Sequence, residues 1–231
     1  MVRTLLLVLL ALVLNGGAGL AAWSRRSVTA AGAISGAFVG TVIFLAGGYV
    51  YWIMLMLFFV SSSVASRMGS RRKQSLEQMH EKGSRRDAVQ VFANGGVATI
   101  AVVLLALTGR PAFGIAAAAA FAGVNADTWA SEFGVLSRRP PRSIITWRTL
   151  ERGTSGGVSI LGTGFAITGS LLIATWYAIA VGVAGNGGTL SSAVVLVVVL
   201  AAGFLGTTTD SVLGATLQAQ YRSDEGSLTE R

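Results

Sequence analysis

Cysteine is absent from this chain, and histidine occurs once, at His80. That excludes a disulfide framework and thiolate chemistry. The lone histidine sits in a charged loop, where a solvated imidazole is the ordinary outcome. Charge is scarce as well. Only 12% of residues are charged, against about a quarter in soluble domains, while 52% are hydrophobic and the mean hydropathy is +0.65. This excludes an ordinary soluble domain and points to a membrane protein. Acids are the scarcer sign, 10 against 18 Lys and Arg. In a soluble protein that excess would suggest a nucleic-acid partner. In an apolar chain it is better explained by loops that orient membrane helices and meet anionic headgroups or phosphates.

What is present is a series of apolar runs. Leu5 to Ala22 is the first; it is too long for a signal peptide's apolar core and lacks a convincing cleavage site. Thr29–Ala46 and Tyr49–Ser66 follow, separated by Gly47-Gly48 and rich in small residues that let helices approach closely. Ala88–Thr108, Ala112–Phe133, Gly156–Ala184 and Leu190–Leu213 complete the series. Each is near the roughly 20 residues needed to cross a bilayer. The expected fold is therefore an all-α polytopic bundle of about seven spans in a single membrane domain, 1–231. Cytoplasmic loops are expected at 67–87 and 137–152, with a short tail at 219–231. Of the 18 basic residues, only Arg3 and Arg110 then fall on the opposite side from the rest. That asymmetry places the N-terminus outside and the C-terminus in the cytoplasm.

The polar residues inside these runs carry the chemistry. Gly123-Val-Asn-Ala-Asp127-Thr-Trp-Ala-Ser-Glu132-Phe-Gly134 ends the fifth run, where carboxylates are least welcome. At roughly 100° per residue, Asn125, Asp127, Thr128, Ser131 and Glu132 share an arc of about 160°. Intramembrane acids are costly and usually face a polar cavity. Several carboxylates in one pocket repel unless a cation joins them, and Mg²⁺ takes one or two carboxylates together with substrate phosphates. The other reading pairs the acids with Arg142 or Arg148. Asp210 stands in Gly206-Thr-Thr-Thr-Asp210, which repeats the glycine-to-aspartate spacing of Gly123 to Asp127. Gly153-Thr-Ser-Gly-Gly157-Val-Ser159 opens the sixth run with bare backbone N–H groups at a helix start, a setting that favours an anion. It lacks the lysine and the spacing of a Walker A loop.

Three segments resemble a known membrane family, the one that includes plant and cyanobacterial phytyl-phosphate kinase and human transmembrane protein nineteen. They are Asp127 to Gly134, Pro141-Arg-Ser-Ile-Ile-Thr-Trp147, and Gly153 to Ser159. Arg86 to Gly96 and Gly203 to Gln218 are similar to its flanking segments, so the likeness runs from about Ala30 onward. Ser155 departs from the family's Gly-Thr-Asn-Gly-Gly form. The resemblance implies transfer of a nucleotide γ-phosphoryl group, with CTP favoured, to an isoprenyl monophosphate. The topology read from the basic residues sets the active site on the cytoplasmic side of the membrane, expected to be a prokaryotic cytoplasmic membrane. Under that implication Asp127 and Glu132 hold Mg²⁺, with Asp210 as a further ligand, and Arg86 and Arg148 join the two acids in catalysis. Phosphates would be held by Lys82, Arg85, Asn94, Asn125, Ser131, Arg142, Gly153, Thr154, Ser155, Gly156, Gly157 and Ser159. The sequence leaves room for an oligomer. The competing expectation is a transporter or flippase for a phosphorylated lipid or small anion, whose sites would lie near the bilayer centre.

Overall fold

The computed structural model describes residues 2–73, 85–183, 190–218, 221–222 and 228–229. Among the described residues six helical elements carry the chain: α1 (Val2–Ser24), α2 (Ala30–Lys73), α3 (Ala88–Thr108), α4 (Pro111–Gly134), α5 (Ile160–Val183) and α6 (Ser192–Thr216). Five of them are long and apolar enough to cross a membrane. The exception is α4, whose hydropathy Asn125, Asp127 and Glu132 lower.

The runs on either side of Gly47-Gly48 are two helical arms that meet at a kink within α2. In α2 the backbone leaves helical geometry at Gly48 (φ 71°, ψ −165°). The apolar part, Ala30–Met68, is 39 residues, about twice what one crossing needs. Glycine adopts this left-handed backbone without the Cβ clash that other residues meet. Further along, Asp87 starts α3 with a capping box: its carboxylate accepts from the Gln90 N–H, and the Gln90 side chain returns to the Asp87 N–H. Gly109 ends α3 in the left-handed conformation, and Pro111 opens α4, where a missing N–H costs nothing.

Helix α4 packs against α2, α3, α5 and α6. Its alanines explain how one helix reaches four neighbours. Ala117, Ala118, Ala122 and Ala126 are fully buried, and their small side chains bring the surrounding backbones close. Gly203 of α6 lies against Ala122 and Ser170, and Gly169 of α5 lies against the Asn125 carbonyl and Trp129. Phe121, Met54, Ile43, Val102 and Ile173 fill the wider gaps.

Two polar ties hold the outer helices. Buried Asn15 of α1 accepts from the Trp52 indole N–H at 2.9 Å and donates to the Ala11 carbonyl at 2.8 Å. The segment before α3 bridges to the turn before α2: the Thr29 N–H donates to the Arg86 carbonyl, and the Arg86 N–H donates to the Ser27 carbonyl. Between α4 and α5, β1 (Arg142–Ser143) pairs antiparallel with β2 (Gly157–Val158). Two further two-residue strands, β3 (Tyr221–Arg222) and β4 (Leu228–Thr229), pair beyond α6.

Candidate functional site

The last turns of α4 and α6, the first turns of α5 and the 141–159 segment enclose a cleft of about 990 Å³. Asp127 and Ser131 reach it from α4, Thr207, Asp210 and Ser211 from α6, and Thr163 from α5. The Asp127 carboxylate accepts a hydrogen bond from the Thr207 hydroxyl at 3.0 Å and feels the negative charge of Asp210. Thr207 and Asp210 are three residues apart on one helix, which sets both on the face toward α4.

The opposite wall is the glycine segment. Gly153 (φ 90°) and Gly156 (φ 76°) both take left-handed backbone. Gly157 donates to the Thr154 carbonyl at 3.1 Å, closing a tight turn. At Gly156 a Cβ would fall 2.7 Å from the Ala215 Cα, so the turn lies directly on the α6 backbone. The β1–β2 ribbon and the bond from the Ile144 N–H to the Gly156 carbonyl tie this turn to the 143–148 hairpin. Ser159 closes the segment: its hydroxyl accepts the Gly162 N–H at 3.0 Å and caps α5.

The structure divides the acidic stripe of α4. Asp127 and Ser131 face the cleft, whereas Glu132 turns toward α2, where Ser66 donates to its carboxylate at 2.9 Å. An arc of 160° is wide enough for its two ends to meet different neighbours, so the expectation that Asp127 and Glu132 share one metal ion is corrected. Arg86 lies with Glu132 rather than in the cleft. Its guanidinium sits 5.7 Å over the Phe58 ring, with Nη1 buried and unbonded among the described residues. Burial lowers the Arg86 pKa from the usual guanidinium range, and the charge of Glu132 opposes that shift.

Asn125 is also corrected, from phosphate ligand to brace. It is fully buried; its amide donates to the Gly169 carbonyl at 2.8 Å and accepts from Ser61 at 2.9 Å. The cleft lining includes Gly153, Thr154, Ser155, Gly156, Gly157 and Ser159 but not Arg85, Asn94, Arg142 or Arg148. Arg142 and Arg148 flank the hairpin and are exposed; Lys82 lies outside the described residues. The reading that pairs the acids with these arginines does not describe Asp127, whose bond comes from Thr207. Sequence reasoning missed Thr207, Trp147 and Arg152 as lining residues. Thr207 stood in the run leading to Asp210, and Arg152 next to the glycine turn, but neither spacing says which side chain faces inward.

Among the described residues no three His, Asp or Glu side chains converge on one point. The donor set on hand for a cation is Asp127 and Asp210, two carboxylates in one cleft facing the glycine turn. That set suits Mg²⁺, which completes its octahedron with water and phosphate oxygens.

The family model described as "Integral membrane protein DUF92" matches residues 13–231. Protein PGR of Arabidopsis thaliana is 33% identical over 213 residues, covering 85% of this chain and 74% of its own length. An uncharacterized membrane protein of Methanocaldococcus jannaschii is 33% identical over 142 residues, 62% of this chain and 58% of that protein. One from Synechocystis is 28% identical over 188 residues, 79% and 69% respectively. No solved structure matches the chain.

Proposed function

The chain belongs to the DUF92 family of integral membrane proteins, and from that premise we propose that it is a membrane-embedded kinase of isoprenyl monophosphates. The donor is a nucleoside triphosphate, CTP by preference, and the product is a prenyl diphosphate. The observation that carries the reading is the cleft itself: two carboxylates from separate helices confront a glycine turn whose backbone N–H groups suit phosphates.

The chemistry asks little of a base. An isoprenyl monophosphate is already an oxyanion near neutral pH. Its oxygen attacks the γ-phosphorus, the bond from that phosphorus to the bridging oxygen breaks, and the nucleoside diphosphate leaves. Catalysis then rests on alignment and charge neutralisation. Mg²⁺, held by Asp127 and Asp210, would supply the neutralising charge. Thr207 fixes the Asp127 carboxylate, the Gly153–Gly157 turn holds donor phosphates, and Arg152 adds positive charge at the rim. Arg142 and Arg148 contribute to the field around the mouth. Arg86 and Glu132 brace α4 from behind and take no direct part in the transfer. The prenyl tail lies among the apolar helices.

The proposal includes a topology. The two arms of α2 each cross the bilayer, as does α4, which makes seven crossings within one domain, N-terminus outside and C-terminus inside. The distribution of Lys and Arg supports this, and it sets the cleft toward the cytoplasm, where nucleotide is found. A transporter would need its polar groups open to both faces.

The test is direct. Detergent-purified protein with Mg²⁺, γ-labelled nucleotide and a panel of prenyl monophosphates is expected to yield labelled prenyl diphosphate. Asp127→Asn is expected to lower the yield by roughly 100- to 1,000-fold. Full activity in that variant removes the metal assignment; transport of a phosphorylated lipid without any diphosphate product removes the kinase.

A further inference from the structure

Trp147 has a backbone that its side chain does not favour. Its φ of 57° lies in the left-handed region, which costs an L-residue about 1–2 kcal/mol. Such a conformation persists only where its surroundings over-determine it, and here they do. The Trp147 N–H donates to the Ser143 carbonyl at 2.9 Å, and the Ser143 N–H donates to the Arg148 carbonyl at 2.8 Å. The buried Ser143 hydroxyl accepts from the N–H groups of Ile145 and Thr146. The indole gains little packing in return: Trp147 is 65% exposed, and it lines the cleft.

The hairpin that holds this ring is joined to the glycine turn by backbone hydrogen bonds. Arg142 pairs with Val158, Ser143 pairs with Gly157, and the Ile144 N–H donates to the Gly156 carbonyl at 3.0 Å. The separation between a flat aromatic face and the glycine turn is thus built into the main chain. A ligand with a planar ring at one end and several phosphates at the other matches both features.

We infer that Trp147 is the stacking platform for the base of the nucleotide donor, a reading that rests on the cleft being a phosphate site. Stacking on an indole accepts every base, since each presents a π face. Trp147 therefore strengthens nucleotide binding without choosing CTP over ATP. Tryptophan is also enriched where membrane proteins meet headgroups. The cleft lining favours the base, because a headgroup anchor has no need to face the glycine turn.

The experiment compares binding of CTP, ATP and inorganic tripolyphosphate, each with Mg²⁺, to the full chain and to Trp147→Ala and Trp147→Phe. The unaltered chain is expected to bind both nucleotides more tightly than tripolyphosphate. Trp147→Ala is expected to weaken both nucleotides by about 5- to 100-fold and leave tripolyphosphate unchanged, with Trp147→Phe recovering most of the loss. Equal weakening of tripolyphosphate overturns the inference, since the hairpin rather than the stack is then at fault. Unchanged nucleotide affinity also overturns it. If, in addition, the fluorescence lost in Trp147→Ala is the part that brominated lipids quench in the unaltered chain, above the quenching of the other four tryptophans, the ring is a headgroup anchor. Tripolyphosphate bound as tightly as nucleotides sinks the stacking platform alone. Binding of neither sinks the phosphate cleft, and the platform with it.

Discussion

About a turn and a half of α4 separates two acids placed in opposite circumstances. Asp127 opens onto a cleft with a second aspartate, a hydroxyl donor and a glycine turn. Glu132 points the other way, into a half-buried set with Ser66 and Arg86. The first arrangement leaves negative charge facing open space that a ligand can fill. In the second, charge is met from within the protein. Burial and residue type are similar in the two regions, so neither marks a site. What distinguishes them is whether the surrounding groups complete the carboxylate or leave it to be completed from outside.

The comparison breaks most decisively at the acids. Asp127→Asn is expected to lower phosphoryl transfer by roughly 100- to 1,000-fold with little change in thermal unfolding in detergent. Glu132→Gln is expected to do the reverse. It leaves Arg86 half-buried beside a neutral amide, for a loss of about 1–3 kcal/mol of stability, while the KM for nucleotide is unchanged. Equal effects of the two substitutions on turnover would erase the distinction drawn between the two faces.

Gly156→Ala sharpens the cleft side. The new Cβ would run into Ala215 and the backbone would be strained at φ 76°, so the turn must leave α6. The nucleotide KM is expected to rise by at least about tenfold, in line with a cost above about 1 kcal/mol. At Gly153, with φ 90° but nothing within 4 Å of a Cβ, alanine should cost only the backbone strain and so do less. A Gly153→Ala variant as impaired as Gly156→Ala would show that contact with α6 is not what shapes the turn.

The smallest effect on function is expected at Asn125. Asn125→Ala leaves the Gly169 carbonyl and the Ser61 hydroxyl without their partner and should lower stability by about 1–3 kcal/mol. Kinetic constants measured below the lowered transition should match those of the unaltered chain. A selective rise in the nucleotide KM would return Asn125 to the phosphate site.

Much of the bundle was legible beforehand because the bilayer imposes a length. The apolar runs end where α3 and α4 end to within a residue or so, and the Gly47-Gly48 pair marks the break in α2. The meeting of Asp127, the 153–159 turn and Asp210 could be anticipated because alternating crossings bring the ends of α4 and α6 and the start of α5 to one side. Glu132 could not be separated from Asp127 in the same way. Helical periodicity places side chains relative to one another and is silent about which neighbour stands opposite. Asn125 looked like a ligand for the same reason, and only the positions of Ser61 on α2 and Gly169 on α5 reveal a brace. Trp147 was quoted merely as part of a motif, since a left-handed φ at tryptophan leaves no mark in composition or spacing.

The amino-acid sequence by itself determined that this chain is a bundle of apolar helices, where its longest helix bends and which few residues could carry charge into the membrane. Those properties follow from transfer free energies and backbone sterics, which act residue by residue. The tertiary structure alone decided that Glu132 is turned to Arg86 while Asp127 stays in the cleft with Asp210. That choice depends on how α2, α5 and α6 pack around α4, and close packing is a property of several segments at once.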